Sequence, residues 1–266
     1  MRRRALFWMS VGVLAGCVSR PRMPDLRQAV APTGTLRAGV SAAPNVSLSF
    51  AARGPAGEFT GPPVDILRSF AQHLAVDLEL IVKQGSGQLA EALSKGELDI
   101  AFLPPDAERR GIADFGPDIF EYESTYLARG DLGLRSVQDI DRAGLRIVGI
   151  ANTVTVRVAN GSLKNVRLDE VRSVDEAIER LRSNSADAFA LGRQPLAELL
   201  PTLPGFVILD GAFQRGTVAL AIPKGRTGAL LAVREFSEYA KTSGLARQIL
   251  ISNGLPPGGV AGSEPR

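Results

Sequence analysis

The sequence predicts an α/β protein of two similar lobes, each a mostly parallel sheet flanked by helices, joined by a two-strand hinge. Three observations carry this prediction. From residue 36 onward, strand and helix patterns alternate, as parallel pairing with helices on both faces requires. The pattern then restarts: LSKGELDIAFL (93–103) and LRSNSADAFAL (181–191) both run helix end, turn, aspartate, apolar strand, and Asp99 matches Asp187. Finally, the last strand and two helices lie too far along the chain to belong simply to the second lobe. Their return to the first lobe creates two crossings, near 123–129 and 214–221, a hinge suited to closing around a ligand.

LRAGV (36–40) is the opening strand, followed by a polar loop over 41–63 with room for a hairpin. Residues 64–75 are helical, because Val64, Leu67, Phe70, Ala71 and Leu74 share one face. A strand with alternating apolar positions covers 76–82, and a helix over 88–95 is stopped by Gly96. The apolar strand 98–103 follows. Pro105 and Asp106 then start a very short helix with Asp106 as N-cap. Arg109 and Arg110 fall in its first turn, where the helix dipole disfavours cations; Gly111 ends it, and 112–115 reads as extended. The second round comprises a strand at 145–150, a helix from about Val154 and a strand at 166–171. A helix over 173–183, with Ser173 and Glu176 as a capping box, leads to a buried strand at 186–191. A strand ending at Pro223 and helices at 227–242 and 245–253 close the fold, and 257–266 reads as a disordered tail.

The N-terminus carries a different pattern. MRRR is a basic segment, and ALFWMSVGVL is an apolar run too short to span a bilayer. LAGC (14–17) places small residues before the chain's one cysteine and resembles a bacterial lipoprotein box, with lipid on Cys17. The other reading is a plain signal peptide with an incidental cysteine. Residues 18–33 read as a polar tether. Without Cys17 there is no thiol, and His73 is the one histidine. That removes disulfides, cysteine-containing zinc sites and Cys-His dyads. A Ser-His-Asp triad would need His73, which lies on an amphipathic helix, and no G-x-S-x-G turn is present. The formal charge is +3 and no Lys/Arg block interleaves with aromatics, so no nucleic-acid partner is expected. No catalytic residue, metal or cofactor is expected either.

From LRAGVS through GEFTGPPVDILRSFAQHLAVDLEL, LAEALSKGELDIAFL, DAERRGIADFGP and AKTSGLARQIL, the chain resembles the family 3 extracellular solute-binding proteins of bacterial ABC importers. The resemblance spans roughly 36–255 and implies the type II periplasmic-binding-protein fold, with the ligand in the cleft between lobes. It implies lobe 1 over 34–125 plus 215–256 and lobe 2 over 126–214. It also implies that Arg109 pairs with a ligand carboxylate, Asp106 taking the position of a family threonine. GIANTVT stands where the second lobe usually offers a Gly-Thr-Thr turn, so Asn152, Thr153 and Thr155 become candidates to hold the same carboxylate. Asn45, in the polar loop, is a further candidate.

The chain also departs from the family. Pro62 stands where an aromatic usually stacks on the ligand, FLPP replaces a serine-rich strand end, and Gly192 replaces the acid that takes an ammonium. Arg193 follows Gly192 and either meets a second anionic group on the ligand or is solvated or bridges the lobes. The implied function is a lipid-anchored binding protein at the periplasm or cell surface. It would deliver a small carboxylate-bearing solute to an ABC permease, as a monomer closing on its ligand. The alternatives are a sensor or partner-binding protein on the same fold, and a dehydratase-like enzyme.

Overall fold

A computed structural model describes residues 23–262 of the chain. The leader expected at 1–17, with Cys17 as its expected lipidation site, and the end of the tail at 263–266 lie outside the described residues.

Helix α1 (Met23–Val30) precedes β1 (Thr35–Ala42), the organising strand of the first lobe. Strand β2 (Phe50–Arg53) pairs in parallel with the end of β1 and turns back on β3 (Phe59–Thr60) as a hairpin. Helix α2 (Pro62–Leu74) starts on two prolines, whose fixed φ suits a first helical turn. It buries the predicted face of Val64, Leu67, Phe70, Ala71 and Leu74. Strand β4 (Asp77–Lys83), helix α3 (Ser86–Ser94) and strand β5 (Ile100–Leu103) follow, both strands parallel to β1.

After the single turn α4 (Arg109–Ile112), strand β6 (Ala113–Arg129) runs for 17 residues out of the first lobe and into the second. There β7 (Ile147–Ile150), α5 (Val154–Ser162), β8 (Leu168–Val171), α6 (Val174–Arg182) and β9 (Ala188–Gly192) repeat the strand–helix alternation. Strand β7 pairs in parallel with both β8 and β9. Helix α7 (Arg193–Leu199) and the short β10 (Phe206–Ile208) lead to β11 (Gln214–Pro223), which carries the chain back. Helices α8 (Thr227–Thr242) and α9 (Leu245–Ser252) then cover the first lobe.

The two long strands form the hinge. They pair antiparallel from Gln214 opposite Ser124 to Pro223 opposite Ala113, with register shifts around Val218–Ala221. The end of β11 joins β5, and the end of β6 joins β9. Each lobe's parallel strands are thus bordered by an antiparallel strand that began in the other lobe. The bulges add local bend and twist where the chain changes lobe.

The repeated aspartates do the same structural job twice. Asp99 accepts hydrogen bonds from Arg37 N, Nε and Nη2 at 3.1, 3.0 and 2.9 Å. Asp187 accepts from Arg146 N, Nε and Nη2 at 3.0, 2.9 and 2.7 Å. Each aspartate ties the start of its own strand to the start of the neighbouring parallel strand. Burial alone would raise the Asp99 carboxyl, yet the Arg37 hydrogen bonds and charge, with Arg226, hold it below the ordinary value. The Arg146 hydrogen bond holds Asp187 low against the opposing effect of burial.

Two sequence expectations are corrected. The tether assigned to 18–33 is not a free segment over α1. Leu26, Val30 and Ala31 are buried in the first-lobe core, and Arg226 Nη2 donates to Ala29 O at 2.6 Å. The apolar face of α1 docks because the face α8 presents is small: a Cβ on Gly228 would lie 2.9 Å from that of Ala29. The disordered tail assigned to 257–266 is ordered over its first part. Pro257–Gly259 form a helical turn, Val260 and Ala261 are buried, and Ala261 N donates to Ile119 O at 2.9 Å.

Candidate functional site

Ligands of open α/β sheets bind beyond the carboxyl ends of the parallel strands. In both lobes those ends face each other here. They enclose a cavity of about 730 Å³, lined from one side by Ser41, Phe50, Ser86 and Pro104 and from the other by Ile150, Thr153, Thr155 and Leu191. That volume lies in the usual ligand-site range, roughly 300–1,000 Å³. The hinge strands supply Glu121, Tyr122, Glu123 and Arg215.

Arg109 is not on the cavity wall. It is 2 % exposed, behind it. Its Nη1 donates to Pro104 O at 2.8 Å, and its Nη2 to Ser86 Oγ at 2.9 Å and to Asn152 O at 3.1 Å. Burial pulls its pKa down to about 10, opposed by Tyr122 and Glu108. Tyr122 is itself pushed up to about 12 by burial, offset by Arg109 and by a hydrogen bond from Gln214. Asp106 caps the turn as expected, accepting from Arg109 N at 2.7 Å. Arg110 lies 5.3 Å over the Phe115 ring, a cation–π contact that occupies the second arginine.

Asn152 holds a left-handed backbone, φ 57°, just before α5. Its carbonyl is turned toward the first lobe and accepts from Arg109 and from Arg157 Nη1 at 3.3 Å. Thr153 is the N-cap of α5: its Oγ1 accepts from Val156 N at 3.2 Å and donates to Ile150 O at 2.8 Å. Thr155 Oγ1 lies 3.5 Å from Ser124 Oγ. Both threonines, with Val154, bring the start of α5 to the cavity wall. First-turn amides lack intrahelical acceptors and favour anions. Arg193 lines the cavity, but Glu123 Oε2 accepts from its Nε at 3.3 Å and Gly211 O from its Nη2. Asn45 bridges the lobes instead of lining the cavity, donating from Nδ2 to Glu198 O at 3.3 Å.

The lobes are closed on one another. Besides the Arg109 and Asn45 bonds, Leu48 N donates to Gln194 Oε1 at 3.2 Å, and Arg157 pairs with Asp106 and, at 3.2 Å, with Glu108. Phe50, from β2, packs into the second-lobe core with Leu191 and Leu196. Gly87 has no side chain because none fits: its Cβ would lie 2.5 Å from that of Asn152.

Ser41, Phe50, Ser86, Gln194, Glu121 and Glu123 were not among the residues expected at the site. The strand-end rule points to three of them, since Ser41 lies next to the end of β1, Ser86 follows β4 and Gln194 follows β9. Phe50 carries no such signal, because the loop that delivers it has no periodicity. Among the described residues, no cluster of His, Cys, Asp or Glu is arranged to hold a metal, and no helix is long and apolar enough to cross a membrane.

The fold and the interlobe cavity define the class: the architecture is that of a type II periplasmic binding protein. A mutant of ArgBP from T. maritima matches 85 % of this chain and 98 % of its own, at TM-score 0.75 and 19 % identity. The ancestral amino acid-binding protein AncCDT-1, a precursor of cyclohexadienyl dehydratase, matches over 84 % and 96 %, at 0.73 and 22 %. The substrate binding protein of an amino acid ABC transporter matches over 82 % and 98 %, at 0.72 and 23 %. At these identities the likeness establishes the fold. No family model and no curated protein sequence matches the chain.

Proposed function

We propose that this chain is an extracytoplasmic solute-binding protein, lipid-anchored through Cys17, that delivers a small carboxylate-bearing solute to an ABC importer. One observation carries the reading: a cavity of ligand size lies between the lobes, at the strand ends of both, beside a two-strand hinge. The similarity in fold to amino-acid-binding proteins supports it.

The carboxylate is received by groups on both walls. Arg109 donates to Ser86 Oγ, which leaves the Ser86 hydroxyl proton free to point into the cavity. The first amides of α5 face it from the other lobe. Arg109 thus acts at one remove: it polarises Ser86 and holds the Asn152 turn, so charge on the ligand strengthens contacts that also join the lobes. The permease would read the resulting shift toward the closed form. A sensor that presents the closed form to a partner would use the same geometry. The bonds that close the lobes on each other, above all those of Arg157, favour keeping that second reading. Catalysis has weaker support, because Glu123 is engaged by both Arg193 and Arg215.

The test is a thermal-shift screen of amino acids, organic acids and small peptides. A ligand at 100 times its Kd adds about 2.7 kcal/mol. At roughly 2–4 °C per kcal/mol for a chain of this size, Tm rises by about 5–11 °C. No shift with any carboxylate overturns the solute reading and leaves the sensor.

A further inference from the structure

The polar groups left over in the cavity define the ligand more narrowly. Ser41 is 2 % exposed, lines the cavity and has no hydrogen-bond partner for its Oγ. Gln194 uses its Oε1 to hold Leu48 N, which leaves its Nε2, also on the cavity wall and buried, without an acceptor. Nε2 and the first amides of α5 can only donate, and the Ser41 and Ser86 hydroxyls can donate, so together they suit a ligand that brings acceptors.

Nothing comparable is available for a cation. Among the described residues, Glu121 and Glu123 are the acids on the wall. Glu123 gives one oxygen to Arg193 and the other to Arg215, at 3.3 and 3.0 Å. Glu121 is exposed and accepts from Gly262 N at 3.0 Å. The charged side chains on the wall cancel, two acids against two arginines. Between them the wall is apolar: Phe50, Ile150, Val154, Leu191 and Pro195. An ammonium placed against that apolar part would lose its hydration and meet no buried carboxylate, since Glu123 is taken by two arginines and Glu121 is exposed.

We infer that the ligand is an ammonium-free monocarboxylate with an apolar body, its acid held by Ser41, Ser86 and the start of α5. This rests on the solute-binding reading and narrows it to a substrate class. The experiment is calorimetry on matched pairs that differ by the ammonium: 4-methylpentanoate against L-leucine, and 3-phenylpropanoate against L-phenylalanine. The ammonium-free member of at least one pair binds, at least tenfold tighter than its amino acid. If the amino acids bind as well or better, the inference falls while the carboxylate reading stands. If no member of either pair binds, the inference falls too, and the thermal-shift screen then decides the broader reading separately. Ser41→Ala supplies a second readout. A hydroxyl that serves the ligand leaves the ligand-free protein with an unchanged or raised Tm when removed, and weakens the carboxylate about tenfold. Unchanged affinity removes Ser41 from the site, and a lowered ligand-free Tm assigns it a structural role.

Discussion

Asp99→Ala tests the first-lobe framework most directly. The Asp99 side chain is 1 % exposed and receives Arg37 at 2.9 Å and Arg226 at 3.4 Å. Removing one partner of a buried ion pair costs about 3–5 kcal/mol. The low end applies, because Arg37 and Arg226 keep 31 % and 25 % exposure, and Arg226 retains the Ala29 carbonyl. A loss of about 3 kcal/mol lowers Tm by roughly 6–12 °C in a domain of this size. The matching change, Asp187→Ala, leaves Arg146 at 45 % exposure, and Arg129 keeps Asp131. Its loss is smaller. Urea melts with an unchanged m-value measure both. The same variants carry a pH signature. Both carboxyls titrate below their unfolded value, so their stabilisation is complete above about pH 4 and is lost as pH falls through the folded values. The acid limb of the stability profile should be shallower in Asp99→Ala than in the parent protein. An Asp99→Ala loss under 1 kcal/mol, or one smaller than that of Asp187→Ala, refutes the reasoning.

Three further outcomes concern closure. Arg109→Met fills the buried volume but deletes the bonds to Ser86 and Asn152; bonds to charged groups contribute about 1.5–3 kcal/mol, so carboxylate affinity falls roughly 10–100-fold by calorimetry. Gly87→Ala improves the propensity of α3 by about 0.5–1 kcal/mol, yet its Cβ meets Asn152 only in the closed form. Thermal stability should hold while affinity drops, and a rise in affinity would argue against that contact. Arg157→Ala frees Asp106 and Glu108 from the second lobe, so the ligand-free protein should show a larger radius of gyration by solution scattering; an unchanged radius assigns closure to the remaining contacts.

Much of the fold was legible in local patterns. Helix α2 buries the face that apolar periodicity marked, Ser173 accepts from Glu176 N at the start of α6, and Asp106 caps its turn. The Asp99–Asp187 match marked two lobes of similar architecture, and the structure adds that both aspartates share the same arginine partnership. The elements that escaped are those whose pattern depends on long-range contact. Strand β6 was visible only in pieces, because one end faces the first-lobe core and the other the second, so its burial never settles into one alternation. Helix α1 looked like a tether, because an eight-residue helix is marginal until another surface covers its apolar side. For the site, sequence likeness pointed to Arg109 and the 152–155 turn but not to their division of labour. Hydrogen-bond partners such as Pro104 O and Asn152 O are backbone groups, which no sequence pattern marks.

The sequence by itself determined the α/β alternation, the duplication of the lobes and the residue types gathered near the strand ends. Those follow from spacing, capping and apolar period, which act over a few residues. Only the tertiary structure decided that Arg109 stands behind the wall, that Arg193 is neutralised by Glu123, and that Ser41 and Gln194 are left with polar atoms unspent. Each of these depends on what lies across the cleft, from residues tens to more than a hundred positions away. Burial then raises the energetic weight of such a neighbour, or of its absence.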